Sequence, residues 1–229
     1  MKPKLSFVAA LALTALTARA AEWVNISDPF TTNLPKPGTY GPTAGVAVDR
    51  ANGNVFMVVA DYGMWRSTDH GKSFTHVDNQ TIGGRCETGW ALQMDPAGGR
   101  MFAFMIYGSS ALTTDGGTTW AKSKLSHLDF GAVDWADTGK RLLAHRHESG
   151  GMLATSDDGG ATWKDLEKGF LNCGVLDRNT FVATKAKEKG IWRSTDAGAT
   201  WTEVSTNTPP AGAYRGYGVP QEIGRASCR

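Results

Sequence analysis

The chain has 229 residues, of which 41% are hydrophobic and 20% charged, a balance that excludes a disordered chain and a coiled coil. Its 24 basic and 22 acidic residues are interspersed and leave a net charge of +2, so the charge pattern gives no indication of nucleic-acid binding. No run of about 18 apolar residues occurs, and we therefore expect no transmembrane anchor. The 28 glycines and 8 tryptophans favour tight turns and packed strands over long helices, which indicates an all-β protein.

The first 20 residues have the three parts of a signal peptide. Two lysines precede an apolar stretch over residues 5–16, and small residues follow at Ala18 and Ala20. A short buried helix would explain the apolar stretch, but not the charged start and the small residues in this order. We expect cleavage near Ala20/Ala21, a secreted or periplasmic protein, and a lead-in strand or loop over residues 21–44.

One eight-residue pattern, Ser/Thr-x-Asp-x-Gly-x-Ser/Thr-aromatic, occurs four times. The copies are STDHGKSF from Ser67, TTDGGTTW from Thr113, SDDGGATW from Ser156 and STDAGATW from Ser194. Their aspartates follow one another at intervals of 46, 43 and 38 residues. Because the repeat of a four-stranded propeller blade is about 40–50 residues long, this spacing predicts one blade of four antiparallel strands per octapeptide.

The octapeptide is similar to the Asp box, or BNR repeat, of sialidases, sortilin-type receptors, photosystem assembly propellers and some xyloglucan-degrading hydrolases. The resemblance covers residues 45–204 and implies a β-propeller of the sialidase-like superfamily. In each copy we expect the aspartate to accept backbone N–H bonds across a hairpin, the glycine to adopt positive φ, and the aromatic ring to pack beneath its own loop. These structural residues are Asp69, Gly71, Phe74, Asp115, Gly117, Trp120, Asp158, Gly160, Trp163, Asp196, Gly198 and Trp201.

A calcium loop is the alternative interpretation of the Asp-x-Gly core of the octapeptide. Such loops require alternating oxygen ligands and a closing glutamate, and both are missing here. No cysteine or histidine has the spacing of a metal ligand either. We expect no metal and no cofactor.

Upstream of each octapeptide the sequence repeats one layout of two apolar strands joined by a turn, then a loop and a third strand. Polar and apolar residues alternate weakly, as expected for strands that are covered on both faces. The predicted strands are Gly45–Val48, Val55–Val59 and Met64–Ser67; Trp90–Met94, Met101–Ile106 and Ala111–Thr113; Ala132–Trp135, Leu142–His145 and Met152–Thr155; Cys173–Leu176, Thr180–Thr184 and Ile191–Ser194.

The C-terminal part of the sequence contains no fifth octapeptide. Residues 205–221 are rich in Thr, Pro, Gly and Tyr, which is typical of a connection between blades. The last eight residues, EIGRASCR at 222–229, are what one frame of a common sequencing adapter encodes. We therefore expect these eight residues to be an artefact, the chain to be a C-terminally truncated fragment, and the natural protein to contain more than four blades.

Three cysteines, Cys86, Cys173 and Cys228, are an odd number for an oxidising compartment. If residues 222–229 are an artefact, Cys86 and Cys173 remain as a pair. Their spacing leaves open whether they form a disulfide.

Ligands of propellers usually bind on the face opposite the Asp-box hairpins. Loops between second and third strands, together with the connections that lead into each blade, reach that face. The residues that we expect there are Tyr62, Arg85, Glu87, Trp90, Tyr107, His127, Asp129, His145, Arg146, His147 and Glu148. The run His-Arg-His-Glu at 145–148 is the most unusual, and a solvated loop with an ion pair, a ligand contact and a metal site are its three interpretations.

One catalytic candidate comes from a second resemblance. The segment ADYGMWR at 60–66 is similar to the Thr-Asp-x-Gly-Gly-x-Tyr-Arg stretch of xyloglucan-degrading propeller hydrolases, whose aspartate is a catalytic carboxylate. The resemblance implies that Asp61 is the base of an inverting hydrolase, which also needs a partner acid across the scissile bond. The alternative is that Asp61 only forms a turn.

Two functions are consistent with these sequence features. The arginine-bearing motif that precedes the first Asp box of sialidases is absent from residues 31–43, which disfavours true sialidase activity. We expect a secreted, carbohydrate-active propeller, either a glycoside hydrolase, xyloglucanase-like rather than an exo-sialidase, or a glycan-binding protein. The alternative is a non-catalytic propeller that binds a protein partner or assists assembly at the cell envelope.

Overall fold

The computed structural model describes residues 44–205. The predicted signal peptide, nearly all of the lead-in segment, the connection after Ser205, Cys228 and the suspected adapter-encoded tail lie outside the described residues. Within residues 44–205 no helix is long and apolar enough to cross a membrane.

Sixteen strands form four antiparallel sheets, and each sheet takes four consecutive strands in chain order. The first two sheets are β1 Ala44–Asp49, β2 Asn54–Val59, β3 Gly63–Ser67 and β4 Thr75–His76, then β5 Leu92–Met94, β6 Met101–Ala103, β7 Ser109–Thr113 and β8 Ala121–Ser126. The last two are β9 Leu128–Asp134, β10 Arg141–Arg146, β11 Leu153–Ser156 and β12 Lys164–Asp165, then β13 Phe170–Val175, β14 Phe181–Lys185, β15 Ile191–Ser194 and β16 Thr202–Ser205.

The four sheets pack face to face in the order of the chain. The first strand of each sheet contacts the first strand of the next, β1 with β5, β5 with β9 and β9 with β13. Phe102 and Phe104 are completely buried in a core that the first three sheets share, and Phe130 and Phe170 belong to a second core between the third and fourth sheets. This is the blade arrangement of a β-propeller, and it confirms the predicted all-β fold with four four-stranded blades.

The second blade differs from its predicted strand bounds. Trp90 lies in a short 3₁₀ helix, Gly89–Ala91, that Thr88 caps by accepting the Trp90 N–H, so β5 begins only at Leu92. At the other end, Ile106 forms an isolated antiparallel bridge with Arg85 in the connection that leads into the blade. The predicted strand Met101–Ile106 is therefore divided. Its first half is β6, which ends at Ala103, and Ile106 pairs with Arg85 instead.

Each octapeptide closes the hairpin between the third and fourth strands of its blade through one hydrogen-bond network. In the first copy the Ser67 hydroxyl donates to Asp69 Oδ1 at 2.7 Å and accepts the Gly71 N–H at 2.7 Å. Asp69 also accepts the N–H of Ser73 at 2.9 Å and its hydroxyl at 2.6 Å. The same bonds recur in the other three copies. Gly71 has φ of 86°, which an L side chain rarely adopts.

The aromatic residue of the third octapeptide, Trp163, packs between two blades. Trp163 donates from its indole N–H to the Gly160 carbonyl of its own hairpin and to the Ser123 hydroxyl of the preceding blade. Its ring meets Phe102 of that blade edge to face, with 6.5 Å between centroids. The hairpin is therefore both a local turn and a contact between neighbouring blades.

The two described cysteines are separate free thiols. Cys86 lies in the core of the first three blades beside Met105, and Cys173 lies in the core between the third and fourth blades beside the Leu143 carbonyl. Burial raises the pKa of the Cys86 thiol to about 12 and raises the pKa of Cys173 as well. Both thiols stay protonated at neutral pH, and the disulfide that the sequence left open does not form between them.

The hairpin carboxylates make stability depend on pH. Hydrogen bonds from Thr200 and Ser194 lower the pKa of Asp196 to about 2, whereas an unfolded aspartate titrates near about 3.9. The carboxylate therefore stabilises the fold fully above about pH 4 and loses this contribution as the pH falls toward about 2. We predict that Asp196→Asn flattens the loss of stability between about pH 5 and about pH 2, measured as urea midpoints. An unchanged pH slope would contradict the role of this carboxylate.

Candidate functional site

The octapeptide hairpins share one end of the blades with the turns between first and second strands. The Gly116 N–H donates to the Gly99 carbonyl at 2.7 Å, and the Gly159 N–H donates to the Lys140 carbonyl at 3.0 Å. The loops between second and third strands and the connections into each blade are therefore at the other end, which we call the loop face. It comprises residues 60–62, 77–91, 104–108, 126–129, 145–152, 166–170 and 186–190.

Asp129 is the centre of the most connected polar cluster on the loop face. It lies near the start of β9 and is only 3% exposed. Its Oδ2 is 2.8 Å from Nδ1 of His145, and its Oδ1 is 2.6 Å from Nδ1 of His147. One buried carboxylate therefore holds two imidazoles, and both Nδ1 atoms donate to it.

The remaining imidazole nitrogens face different partners. Nε2 of His147 is 2.9 Å from the Tyr107 hydroxyl, so it accepts the phenol proton when Nδ1 carries the ring proton. Nε2 of His145 is 3.2 Å from the carbonyl oxygen of Phe170, which can only accept. Only a His145 ring with a proton on each nitrogen makes both of its hydrogen bonds.

One short run at the end of β10 supplies both imidazoles of this cluster. His145 and His147 bind Asp129, whereas the intervening Arg146 binds Asp165 on β12 at 2.7 Å. The register between β9 and β10 shifts at this point. Glu148 follows in the loop with φ of 49° and a side chain that is 79% exposed. The run 145–148 therefore divides into two imidazoles that bind Asp129, one arginine in an ion pair and one solvent-facing carboxylate.

A cavity of about 670 Å³ opens beside the cluster between the third and fourth blades. His145, His147, Glu148 and Asp129 form its polar wall, together with Ser149 and the Gly150–Gly151 backbone. Phe170, Leu171 and Ala186 of the fourth blade form the opposite wall. Its volume is in the range of small-molecule sites, and its lining mixes apolar surface with a few convergent polar groups.

Tyr107 connects this cluster to the second blade. Its ring lies edge to face against His147, with 5.0 Å between centroids, and the Arg85 guanidinium is 5.4 Å from the Tyr107 ring centroid. Arg85 also binds Glu87 at 3.1 Å. Tyr107 has φ of 56°, a left-handed conformation that is uncommon for a bulky residue and is found most often where function requires it.

Three predicted ligand residues lie elsewhere on the loop face. Asp61 and Tyr62 form the turn between β2 and β3 of the first blade, where Asp61 is exposed with φ of 63° and donates its backbone N–H to the Gly84 carbonyl. Trp90 is 38% exposed in the 3₁₀ helix of the second blade. None of the three lines the cavity. The catalytic role of Asp61 stays a prediction, and its backbone conformation also fits a turn residue.

The sequence placed Asp129 and His127 on the predicted ligand-binding face, but it did not show that Asp129 binds both His145 and His147. His127 receives the His147 backbone N–H on its carbonyl, and its ring meets Tyr107 edge to face. One indication of the contact between Asp129 and His145 was present in the sequence. Asp129 lies just before the first predicted strand of the third blade and His145 ends the second, and in an antiparallel pair the start of one strand lies beside the end of the other. Among the described residues no group of three or more His, Cys, Asp or Glu side chains is placed to hold a metal ion.

The arrangement of blades defines an all-β propeller, and comparisons with known proteins agree on the fold. No protein-family model and no curated relative matches the chain. An ancestral GH74 enzyme is similar, with a TM-score of 0.50 and 19% identity over 73% of this chain and 25% of that chain. The GH74 enzyme of Niastella koreensis has a TM-score of 0.50 and 18% identity over 75% of this chain and 31% of that chain.

A structure of YCF48 bound to D1 peptide is also similar, with a TM-score of 0.46 and 23% identity over 67% of this chain and 50% of that chain. The chain therefore spans about a quarter to a third of the GH74 chains that it matches. At these identities the two GH74 likenesses show the propeller fold alone.

Replacing Asp129 by Asn tests the buried cluster. An amide offers one acceptor and one donor group, so one of the two Nδ1–H donors loses its partner in a buried site. We predict that Asp129→Asn lowers the free energy of unfolding by about 1–3 kcal/mol in urea denaturation. Asp165→Asn removes an exposed carboxylate and serves as the control, with an expected change within about 0.5 kcal/mol. Equal losses of unfolding free energy in the two variants would contradict the conclusion that Asp129 holds both imidazoles.

A pair of glycines tests how closely the second-blade loop approaches its neighbour. A Cβ on Gly108 would collide with the backbone of Gly83 and Gly84, whereas a Cβ on Gly89 would meet nothing within 4 Å. We predict that Gly108→Ala destabilises the fold by about 1–3 kcal/mol, because the loop that carries Tyr107 must move. Gly89→Ala is expected to stay within about 0.5 kcal/mol. If Gly108→Ala unfolds at the wild-type temperature, the loop that carries Tyr107 does not pack closely against the backbone of Gly83 and Gly84.

Proposed function

We propose that this protein is an exported Asp-box propeller of the sialidase-like class that binds carbohydrate at the cavity between its third and fourth blades. Export rests on the signal-peptide pattern of residues 1–20, and the class rests on the four octapeptides. The observation that carries the binding function is the cavity itself, with two imidazoles, two carboxylates and a serine on one wall.

The chemistry of the cavity wall suits a polyhydroxylated ligand. Sugar hydroxyl groups both donate and accept hydrogen bonds, and the exposed Glu148 carboxylate accepts from two neighbouring hydroxyls at once. Ser149 and the Gly150–Gly151 backbone also line the cavity, but the Ser149 hydroxyl and both glycine carbonyls already make hydrogen bonds within the protein, so Glu148 is the main polar contact for a ligand. The fourth-blade wall is apolar at Leu171 and Ala186, which suits the C–H faces of a pyranose ring.

A protein partner is the second candidate, and one observation favours it. Trp90 is 38% exposed on the loop face, close in sequence to the Arg85–Glu87 ion pair. Tryptophan and arginine are enriched at protein interfaces. This surface lies outside the cavity lining, so binding at the two places is separable by mutation.

Titration of the full chain with oligosaccharides in a calorimeter tests carbohydrate binding. The panel contains xyloglucan oligosaccharides and acidic oligosaccharides. We predict that Glu148→Ala lowers the affinity for the saccharide about tenfold or more, because hydrogen bonds to a charged acceptor contribute about 1.5–3 kcal/mol. His70→Asn, in the first octapeptide at the other end of the blades, is the matched control and keeps the wild-type affinity. Failure to bind any saccharide, or equal affinities for Glu148→Ala and wild type, would contradict the proposal.

A further inference from the structure

The polar groups of the loop face form a continuous series across the second and third blades. Arg85 lies against the Tyr107 ring, the Tyr107 hydroxyl bonds to His147, and His147 bonds to Asp129. His147 lines the cavity and Tyr107 does not, but the Tyr107 hydroxyl is 2.9 Å from Nε2 of His147. A chain-like ligand that is held in the cavity and extends past His147 would meet the Tyr107 hydroxyl next, and Arg85 lies against the same tyrosine ring.

We propose that the loop face cleaves uronate-containing polysaccharides by β-elimination, with Tyr107 as the group that transfers the proton. Arg85 binds the uronate carboxylate, and the Asp129–His147 pair acts as the relay that accepts and returns the phenol proton. This inference rests on the carbohydrate binding proposed above and names the substrate class and the reaction.

The geometry supplies each requirement of an elimination. The carbon that bears the carboxylate loses a proton only when the carboxylate charge is neutralised, and a guanidinium does this with a bidentate contact. Arg85 keeps donors for such a contact at the end of its guanidinium, since Nη2 uses one of its two hydrogens on Glu87 and Nη1 makes no hydrogen bond among the described residues. The Nε of Arg85 is buried and does not face a ligand. A phenol oxygen that hands its proton to an oriented imidazole is a competent base.

The step balances without any added reactant. His147 Nε2 takes the Tyr107 hydroxyl proton, and the phenolate oxygen takes the proton from C5 of the uronate. The C5–H electron pair forms the C4=C5 double bond while the glycosidic bond from C4 to oxygen breaks. The new Tyr107 proton passes to the leaving oxygen, and the His147 proton then returns to the phenolate. One glycan chain becomes two, and one of them ends in an unsaturated uronate.

Backbone conformation is an independent observation that points to the same place. Tyr107, His127 and Glu148 have φ of 56°, 59° and 49°, and the three residues surround His147. Of the nine non-glycine residues with positive φ among the described residues, these three lie around one side chain. Such residues are uncommon and are often found at functional sites.

The ultraviolet absorbance of the unsaturated uronate gives a direct test. The full chain is incubated with polygalacturonate, alginate, hyaluronan and heparin in turn, with xyloglucan as the neutral control. We expect absorbance to rise with at least one uronate polymer and not with xyloglucan. Tyr107→Phe should lower the rate at least ~100-fold, because it removes only the acid–base oxygen. His70→Asn should leave the rate unchanged.

The positioning role of His147 has its own readout. His147→Gln should lower kcat while KM changes less than about twofold, since the residue orients a proton and does not hold the substrate in place. Arg85→Lys should instead raise KM, because a lysine lacks the bidentate fork. A rate in Tyr107→Phe equal to wild type, or no absorbance change with any of the four uronate polymers, would overturn the proposal. If saccharides bind in the calorimeter but none is cleaved by elimination, this inference fails while carbohydrate binding stands.

Discussion

The hydrogen-bond network of the octapeptide hairpin is the constraint on which the other features of this fold depend. A serine or threonine hydroxyl, an aspartate and a glycine N–H close the outer hairpin of every blade with nearly the same distances, 2.7 to 2.9 Å between Gly71, Gly117, Gly160 or Gly198 and the hydroxyl. The network fixes where the following aromatic residue lies. In the third blade that residue, Trp163, contacts the preceding blade, so a local turn also sets the packing between blades.

Because the hairpins determine the packing at one end of the blades, the other end is free to vary. There the second blade inserts a 3₁₀ helix, and the third blade has a bulge between His145 and Arg146. The bulge lies next to Asp129, where the strand order places β9 beside β10. Asp129 is buried, and its two imidazole partners satisfy both of its oxygens. The polar cluster is thus a feature of one blade on an otherwise repetitive scaffold.

The repeat could be predicted from sequence because its residues act over eight positions. The spacing of Asp69, Asp115, Asp158 and Asp196 was sufficient to predict four blades of four strands. The relay could not be predicted, because Asp129 and Tyr107 reach His147 from 18 and 40 residues away through strand pairing and blade packing. Trp90 was assigned to a strand because its apolar neighbours outweighed the cap at Thr88.

The relay also limits what the carboxylates of this face can do. Asp129 has both oxygens committed to imidazoles, so it orients other groups, and the carboxylate that faces solvent in the cavity is Glu148. The other hydrogen-bonded pair of titratable side chains in this cluster is His147 with Tyr107. Long side chains such as Arg85 and Lys185 stabilise the rim through aromatic contacts, with the Lys185 ammonium 3.8 Å from the Trp192 ring centroid.

The central claim is that Asp129 orients both histidines so that His147 accepts the Tyr107 proton. Long-range ¹H–¹⁵N correlation spectra of the imidazole rings at neutral pH test it most directly, since they report which nitrogen of each ring carries a proton. We predict that Nδ1 of each ring carries a proton, because both Nδ1 atoms face the Asp129 carboxylate, and that Asp129→Asn changes the spectra of both rings. A His147 ring with its proton on Nε2 in the wild-type protein would contradict it.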